Sequence, residues 1–285
     1  IEMPQKSVFY DFGEHKITKV INIKEKAANN DYSKENGSVA YTIDNNLYIA
    51  DSKGQNIQIT NEPKGIVCGQ SVHRNEFGIS KGTYWSPKGN YLAFYRMDER
   101  MVADYPFVDI DTRIATVKPG KYPMAGMTSH EVTIGIYNMS TGKTVYLNAG
   151  NPKDRYFTNI AWSPDEKSLY FIELNRDQNH SQLYCYNTQS GEKEKMLIEE
   201  SQPKYVEPQH PVLFLKGDNT KFIYQSQRNG FNHLYIYNID GKLIKQLTNG
   251  NWLVKEILGF DEKGDNIYIS STETSPLESQ TYKVN

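Results

Sequence analysis

Apolar and polar positions alternate with a period of two along almost the whole chain. Aromatic and β-branched residues fill the apolar places in runs too short for helices, and Gly, Asn or Asp turn signals close each run. The pattern predicts an all-β protein. Two templates recur within it. The first reads YWSPKGNYLAFYR from Tyr84, AWSPDEKSLYFIEL from Ala161, LFLKGDNTKFIYQS from Leu213 and GFDEKGDNIYISST from Gly259. The second, a strand-turn-strand unit, reads NLYIADSKGQNIQIT from Asn46, TIGIYNMSTGKTVYL from Thr133, QLYCYNTQSGEKEKML from Gln182 and HLYIYNIDGKLIKQLT from His233.

A first template followed by a second makes four short antiparallel strands, the blade of a β-propeller. The blades return at roughly 50 residues, near the length of such repeats. A two-sheet sandwich would share the alternation but not the ordered return of the same two templates. Lys88-Gly89-Asn90, Thr141-Gly142-Lys143, Ser190-Gly191-Glu192 and Asp240-Gly241-Lys242 supply the positive-φ residue that tight hairpins need. The step from Trp85 to Trp162 is longer than its neighbours, and the surplus falls at about 100–131, an inserted arm. Four clear blades, part of another around Ser38 to Thr60 and a vaguer one before Asn22 give about six. An open arc would leave strand edges unpaired, so either the ring closes early or a longer chain continues at both ends.

Composition narrows the partners. The 285 residues are 38% hydrophobic, with no apolar run of the ~18 residues that a membrane helix needs. The 32 basic and 34 acidic residues give a net charge of −2 and are spread along the chain, so nothing here invites nucleic acid or anionic lipid. Cys68 and Cys185 lie far apart in strand-like stretches and read as buried free thiols. No Cys or His pair has metal-ligand spacing, and no metal or other cofactor is expected. The opening IEMPQKSVF lacks the basic and apolar regions of a leader peptide, which could have been removed. Trp85 and Trp162, each before Ser-Pro, read as core pegs between blades; the charged run Arg96 to Arg100 reads as a solvated blade end. The six histidines read as loop and turn residues that are solvated or hydrogen-bonded rather than general bases.

Gly78-Ile79-Ser80-Lys81-Gly82 matches G-x-S-x-G, the signature of a hydrolase nucleophile. That signature needs an apolar strand before it and a helix after it. Here His73-Arg74-Asn75-Glu76 precede and the strand-turn segment TYWSPKGN follows, so Ser80 is not read as a nucleophile.

The segment HRNEFGISKGTYWSPKGNYLAFYRMDE, YPMAG at Tyr122 to Gly126, IGIYNMSTGKTVYL, FTNIAWSPDEKSLYF and QRNGFNHLYIYN together resemble the N-terminal β-propeller of the dipeptidyl peptidase IV family of prolyl-specific serine exopeptidases. Among its members the bacterial prolyl tripeptidyl aminopeptidases are the most similar. The resemblance implies an eight-bladed ring, here incomplete at both ends, capping an α/β-hydrolase domain that carries the Ser-Asp-His triad. On this reading residues 1–285 are a propeller fragment, the hydrolase domain is absent, and the chain alone is inactive. The parent would be a periplasmic or secreted homodimer, with the 100–131 arm making the dimer contact.

The resemblance also gives Glu76 a role. Dipeptidyl members hold the substrate's free α-ammonium with consecutive glutamates on a propeller excursion, and Asn75-Glu76 stand at that place. At 4 Å a carboxylate and an ammonium attract by about 4 kcal/mol at an effective dielectric near 20, before desolvation. Asn75 can donate to a peptide carbonyl as well as accept, and the single acid is similar to tripeptide-releasing members. By residue type alone Glu76 is a solvated loop carboxylate. Arg74, Val206 and Glu207 are implied as cavity lining, with Val206-Glu207 where dipeptidyl enzymes place an aromatic-Arg pair. The expected partner is a peptide with a free N-terminus; the alternative is a stand-alone propeller that binds a protein or glycan.

Overall fold

The computed structural model describes residues 2–3 and 5–285; the opening segment read for a leader includes Ile1 and Pro4, which lie outside the described residues. The fold is all-β, of the β-propeller class built from four-stranded antiparallel blades. It separates into two compact units. One holds the residues up to Val72 together with Lys81–Arg155, and the other holds His73–Ser80 with Tyr156–Asn285.

In the first unit Ala28–Tyr32, Val39–Ile43, Asn46–Ala50 and Asn56–Gln58 form a four-stranded meander, and Glu2–Met3, Lys6–Asp11 and Lys16–Asn22 form a three-stranded sheet. A further sheet is built on Tyr91–Asp98, which pairs with Glu131–Asn138 over eight residues, from Tyr91 opposite Asn138 to Asp98 opposite Glu131. Two short strands share its other edge. Ile66–Cys68 lies along Arg96 to Asp98, and Thr83–Trp85 lies along Leu92 to Phe94. The position of one strand is thus filled by two, and residues 69–82 leave and return between them. Tyr95 pins the neck from both sides: its carbonyl accepts from Gly69 N–H at 2.9 Å, and its N–H donates to the Gly82 carbonyl at 3.0 Å. A Cβ on Gly82 would overlap the Gln70 backbone, so only glycine closes this neck. Residues 100–130 contain a hairpin, Asp104–Asp109 with Thr116–Lys121, paired only to itself.

The strand Arg155–Trp162, which lies in the second unit from Tyr156 onward, forms one meander with Ser168–Asn175, His180–Asn187 and Lys193–Ser201, and Leu213–Leu215, Asp218–Ser226, His233–Asn238 and Leu243–Gln246 form the next. Val254–Phe260, Ile267–Ser271 and Gln280–Val284 form a three-stranded sheet.

The templates have local causes. In the first, the serine before proline plugs its own hairpin: Ser86 Oγ accepts Tyr91 N–H at 2.9 Å and Ser163 Oγ accepts Ser168 N–H at 3.0 Å. In the second, a Tyr-Asn pair ends the strand. Tyr137, Tyr186 and Tyr237 are buried, while Asn138, Asn187 and Asn238 each turn a side-chain oxygen onto the backbone N–H groups of the following turn. Each turn then closes on a positive-φ glycine, Gly142, Gly191 or Gly241.

Apolar faces meet in several cores. One gathers Leu47, Ile49, Cys68, Leu92 and Phe94; another gathers Ile172, Leu183, Phe222, Tyr224 and Tyr235. Cys68 and Cys185 are buried free thiols. Two sequence expectations are corrected. The run from Arg96 to Arg100 is not simply solvated, because Arg96 grips Glu62 with Nε at 2.6 Å and Nη2 at 3.1 Å in a half-buried pair. Nor is His233 a loop residue: it opens a strand, buried, with Nδ1 at 3.0 Å from Thr248 Oγ1 and Nε2 at 3.0 Å from the Gly250 carbonyl.

Candidate amine-binding turn

Residues 73–80 form the outer part of the excursion, and their backbone is left-handed. His73, Arg74, Asn75 and Phe77 have φ of 51°, 58°, 62° and 58°, and Gly78 has 74°. For most L-residues other than glycine this costs roughly 1–2 kcal/mol each, asparagine tolerating it best. Such strain persists only where surrounding contacts impose it, and it concentrates at functional sites. The turn is closed by Glu76 N–H donating to the His73 carbonyl and Ile79 N–H donating to the Glu76 carbonyl, both at 3.1 Å.

Three buried pegs hold it. His73, Phe77 and Ile79 point inward, and Arg74, Asn75 and Glu76 stand exposed. Phe77 packs with Leu174 and Val206, and its ring lies 5.1 Å from that of Tyr156. His73 meets Tyr156 edge-on at 5.0 Å. One strand supplies the polar partners in succession. Phe157 N–H donates to His73 Nε2 at 3.1 Å, Thr158 Oγ1 donates to the Phe77 carbonyl at 3.0 Å, and Asn159 Nδ2 donates to the Pro208 carbonyl at 3.1 Å. Asn159 is itself left-handed, with φ of 58°. A Cβ on Gly78 would overlap the Gln209 carbonyl, so the turn and the 204–210 loop touch through backbone.

That loop borders a cavity of about 640 Å³, within the usual size of a small-ligand pocket. Tyr205, Val206, Glu207, His210, Tyr224 and Arg228 are among its lining residues. Val206 is largely buried against Phe77, whereas Glu207 is exposed. Arg228 lies over the Tyr235 ring at 4.4 Å, donates Nη1 to Tyr237 OH at 2.6 Å, and sits 2.8 Å from Glu200 Oε1 through Nη2. Burial, with the Glu200 charge beside it, holds the Tyr224 hydroxyl well above its ordinary pKa. Burial pushes the His210 imidazole pKa down, partly opposed by Glu256.

Ser80 is exposed at the end of the turn, with the strand Thr83–Trp85 rather than a helix behind it, so the nucleophile context is missing. Among the described residues no group of three His, Cys, Asp or Glu could hold a metal ion, and no helix is long and apolar enough to cross a membrane. Sequence reasoning singled out residues 74–76 but missed the supports: His73, and Phe157 to Asn159. The only signal was FTNIAWSP, whose Thr-Asn polarity interrupts an otherwise apolar strand.

The comparisons agree with the architecture. The family model described as "Dipeptidyl peptidase IV (DPP IV) N-terminal region" matches residues 2–285. Dipeptidyl aminopeptidase B of Saccharomyces cerevisiae is 27% identical over 274 residues, spanning 89% of this chain and 33% of that protein. The chain covers about a third of the length of the curated relatives it matches. A crystal structure of a provisionally named dipeptidyl aminopeptidase IV from Bacteroides ovatus is 53% identical, with a TM-score of 0.92 over 100% of this chain and 42% of that one. Porphyromonas gingivalis dipeptidyl peptidase 4 is 26% identical, with a TM-score of 0.80 over 97% of this chain and 40% of its own. With its all-β blades and a match that runs from residue 2 to residue 285, the chain belongs to the dipeptidyl peptidase IV N-terminal region family.

Proposed function

We infer that this chain is the propeller portion of a periplasmic or secreted serine exopeptidase, and that it binds the amino terminus of a peptide substrate through Glu76. The observation that carries the reading is the turn itself: a lone carboxylate exposed on a strained backbone that buried pegs hold rigid. A fixed anchor for the α-ammonium acts as a ruler, because it sets how many residues fit between the amine and a nucleophile supplied by a hydrolase domain. Asn75, beside it, offers an amide to a substrate carbonyl, and Arg74, next in the chain, is exposed as well. One acid in place of two favours release of tripeptides ending in proline over dipeptides. Val206 then supports the turn through Phe77, and Glu207 lines the cavity beside it. Gating of access to the hydrolase belongs to the same reading, as does a homodimer joined through the 100–131 arm. The arm supports this with apolar side chains turned outward, among them Val108, Ile110, Ile114 and Val117.

The test uses the full-length enzyme with Glu76→Gln. Cleavage of Xaa-Xaa-Pro substrates with a free amine should lose about 2 kcal/mol in kcat/KM, the worth of a charged hydrogen bond. N-acetylated substrates should be indifferent to the change. Equal kcat/KM for wild type and variant on free-amine substrates would remove Glu76 from the mechanism.

A further inference from the structure

His73 is 3% exposed, yet its ring nitrogen is used by a backbone 84 positions away. Phe157 N–H donates to Nε2, so Nε2 carries no proton and the neutral ring keeps its proton on Nδ1. The His73 carbonyl meanwhile accepts the N–H of Glu76. One residue therefore fastens the turn to the strand with its side chain and fastens Glu76 to the turn with its backbone.

We propose that His73 is a positioning residue for the Glu76 carboxylate: its unprotonated Nε2 locks the left-handed turn onto the strand at Phe157 and so fixes where an incoming peptide amine is received. This rests on the amine-anchor reading above. The strand is a shared reference, since Thr158 holds the Phe77 carbonyl and Asn159 holds Pro208 in the neighbouring loop. Four non-glycine residues with positive φ have a standing tendency to leave that region. Loss of the ring contact lets the turn relax, and the exposed carboxylate moves with it while the sheets remain.

Two measurements test this. In the wild-type chain, long-range ¹H–¹⁵N correlation spectra should show His73 protonated at Nδ1 and bare at Nε2; an Nε2–H signal would overturn the inference. In the full-length enzyme, His73→Leu should raise KM for free-amine Xaa-Xaa-Pro substrates about tenfold with kcat changed by less than about twofold. His73→Gln, whose Oε1 reaches the place of Nε2, should restore KM to within about threefold of wild type. A fall in kcat at unchanged KM, or equal losses in both variants, would mean that His73 serves only general stability. Glu76→Gln in the same assay separates the two readings. If it has no effect, the amine anchor fails; if it raises KM while His73→Leu does not, only the role of His73 fails.

Discussion

Phe77→Ala should undock the turn without unfolding the unit that carries it. The ring is 4% exposed and packs on Leu174, Val206 and Tyr156. Burying such a side chain contributes about 1.5–3 kcal/mol, and truncation adds a cavity penalty that brings Phe→Ala to roughly 3–5 kcal/mol in a core. The docked turn already carries left-handed strain, so its margin is smaller than that of the sheets. A loss of about 3 kcal/mol raises the open population roughly 100-fold, at about 1.4 kcal/mol per factor of ten. The amide of Phe157, whose acceptor is His73 Nε2, reports the opening directly. Its hydrogen exchange should quicken by about that factor, while amides inside the Ser168–Asn175 and His180–Asn187 pair change little. Unchanged protection at Phe157, or an equal loss across the whole sheet, would refute the idea that Phe77 holds the turn as a local unit.

Three further outcomes follow from burial and exposure. Burial pushes the Cys68 thiol up to about 11 and raises that of Cys185, so neither should react with a disulfide reagent at pH 8 until the chain is unfolded, and rapid native labelling would contradict the assigned packing. Tyr41 and Tyr84 are pushed by burial to about 12 from 10.0. Their contribution to stability is complete below pH 10 and is lost as the pH climbs to 12, because the unfolded chain releases those protons first. Denaturant midpoints should therefore fall across that window; a flat profile would show that these hydroxyls are not protected. For the proposed homodimer through the arm, Val108→Asp with Ile114→Asp should lower the sedimenting mass of the full-length protein to that of a monomer, and an unchanged mass would exclude the arm as the contact.

How far the sequence reached depended on how local each interaction was. The Ser-Pro and Tyr-Asn-Gly hairpins were legible because Ser86, Ser163, Asn138 and Asn187 satisfy backbone groups within five residues of themselves. Glu76 could be singled out by resemblance, since its neighbours NEFGI carry it. His233 was misplaced on a loop because its partners, Thr248 and Gly250, are 15 and 17 residues away.

The chain's alternation and turn chemistry determined the all-β class and the order of hairpins; that Asn75-Glu76 stand on an excursion came from the resemblance, and its place between Ile66–Cys68 and Thr83–Trp85 came from the structure. Tertiary structure alone decided the shape of that excursion. His73, Arg74, Asn75 and Phe77 have no intrinsic preference for positive φ, and they take it because contacts 81 and 84 residues distant, from Thr158 and Phe157, outweigh the local cost. A sequence read in short windows records propensities, and propensity favours the other hand of this turn.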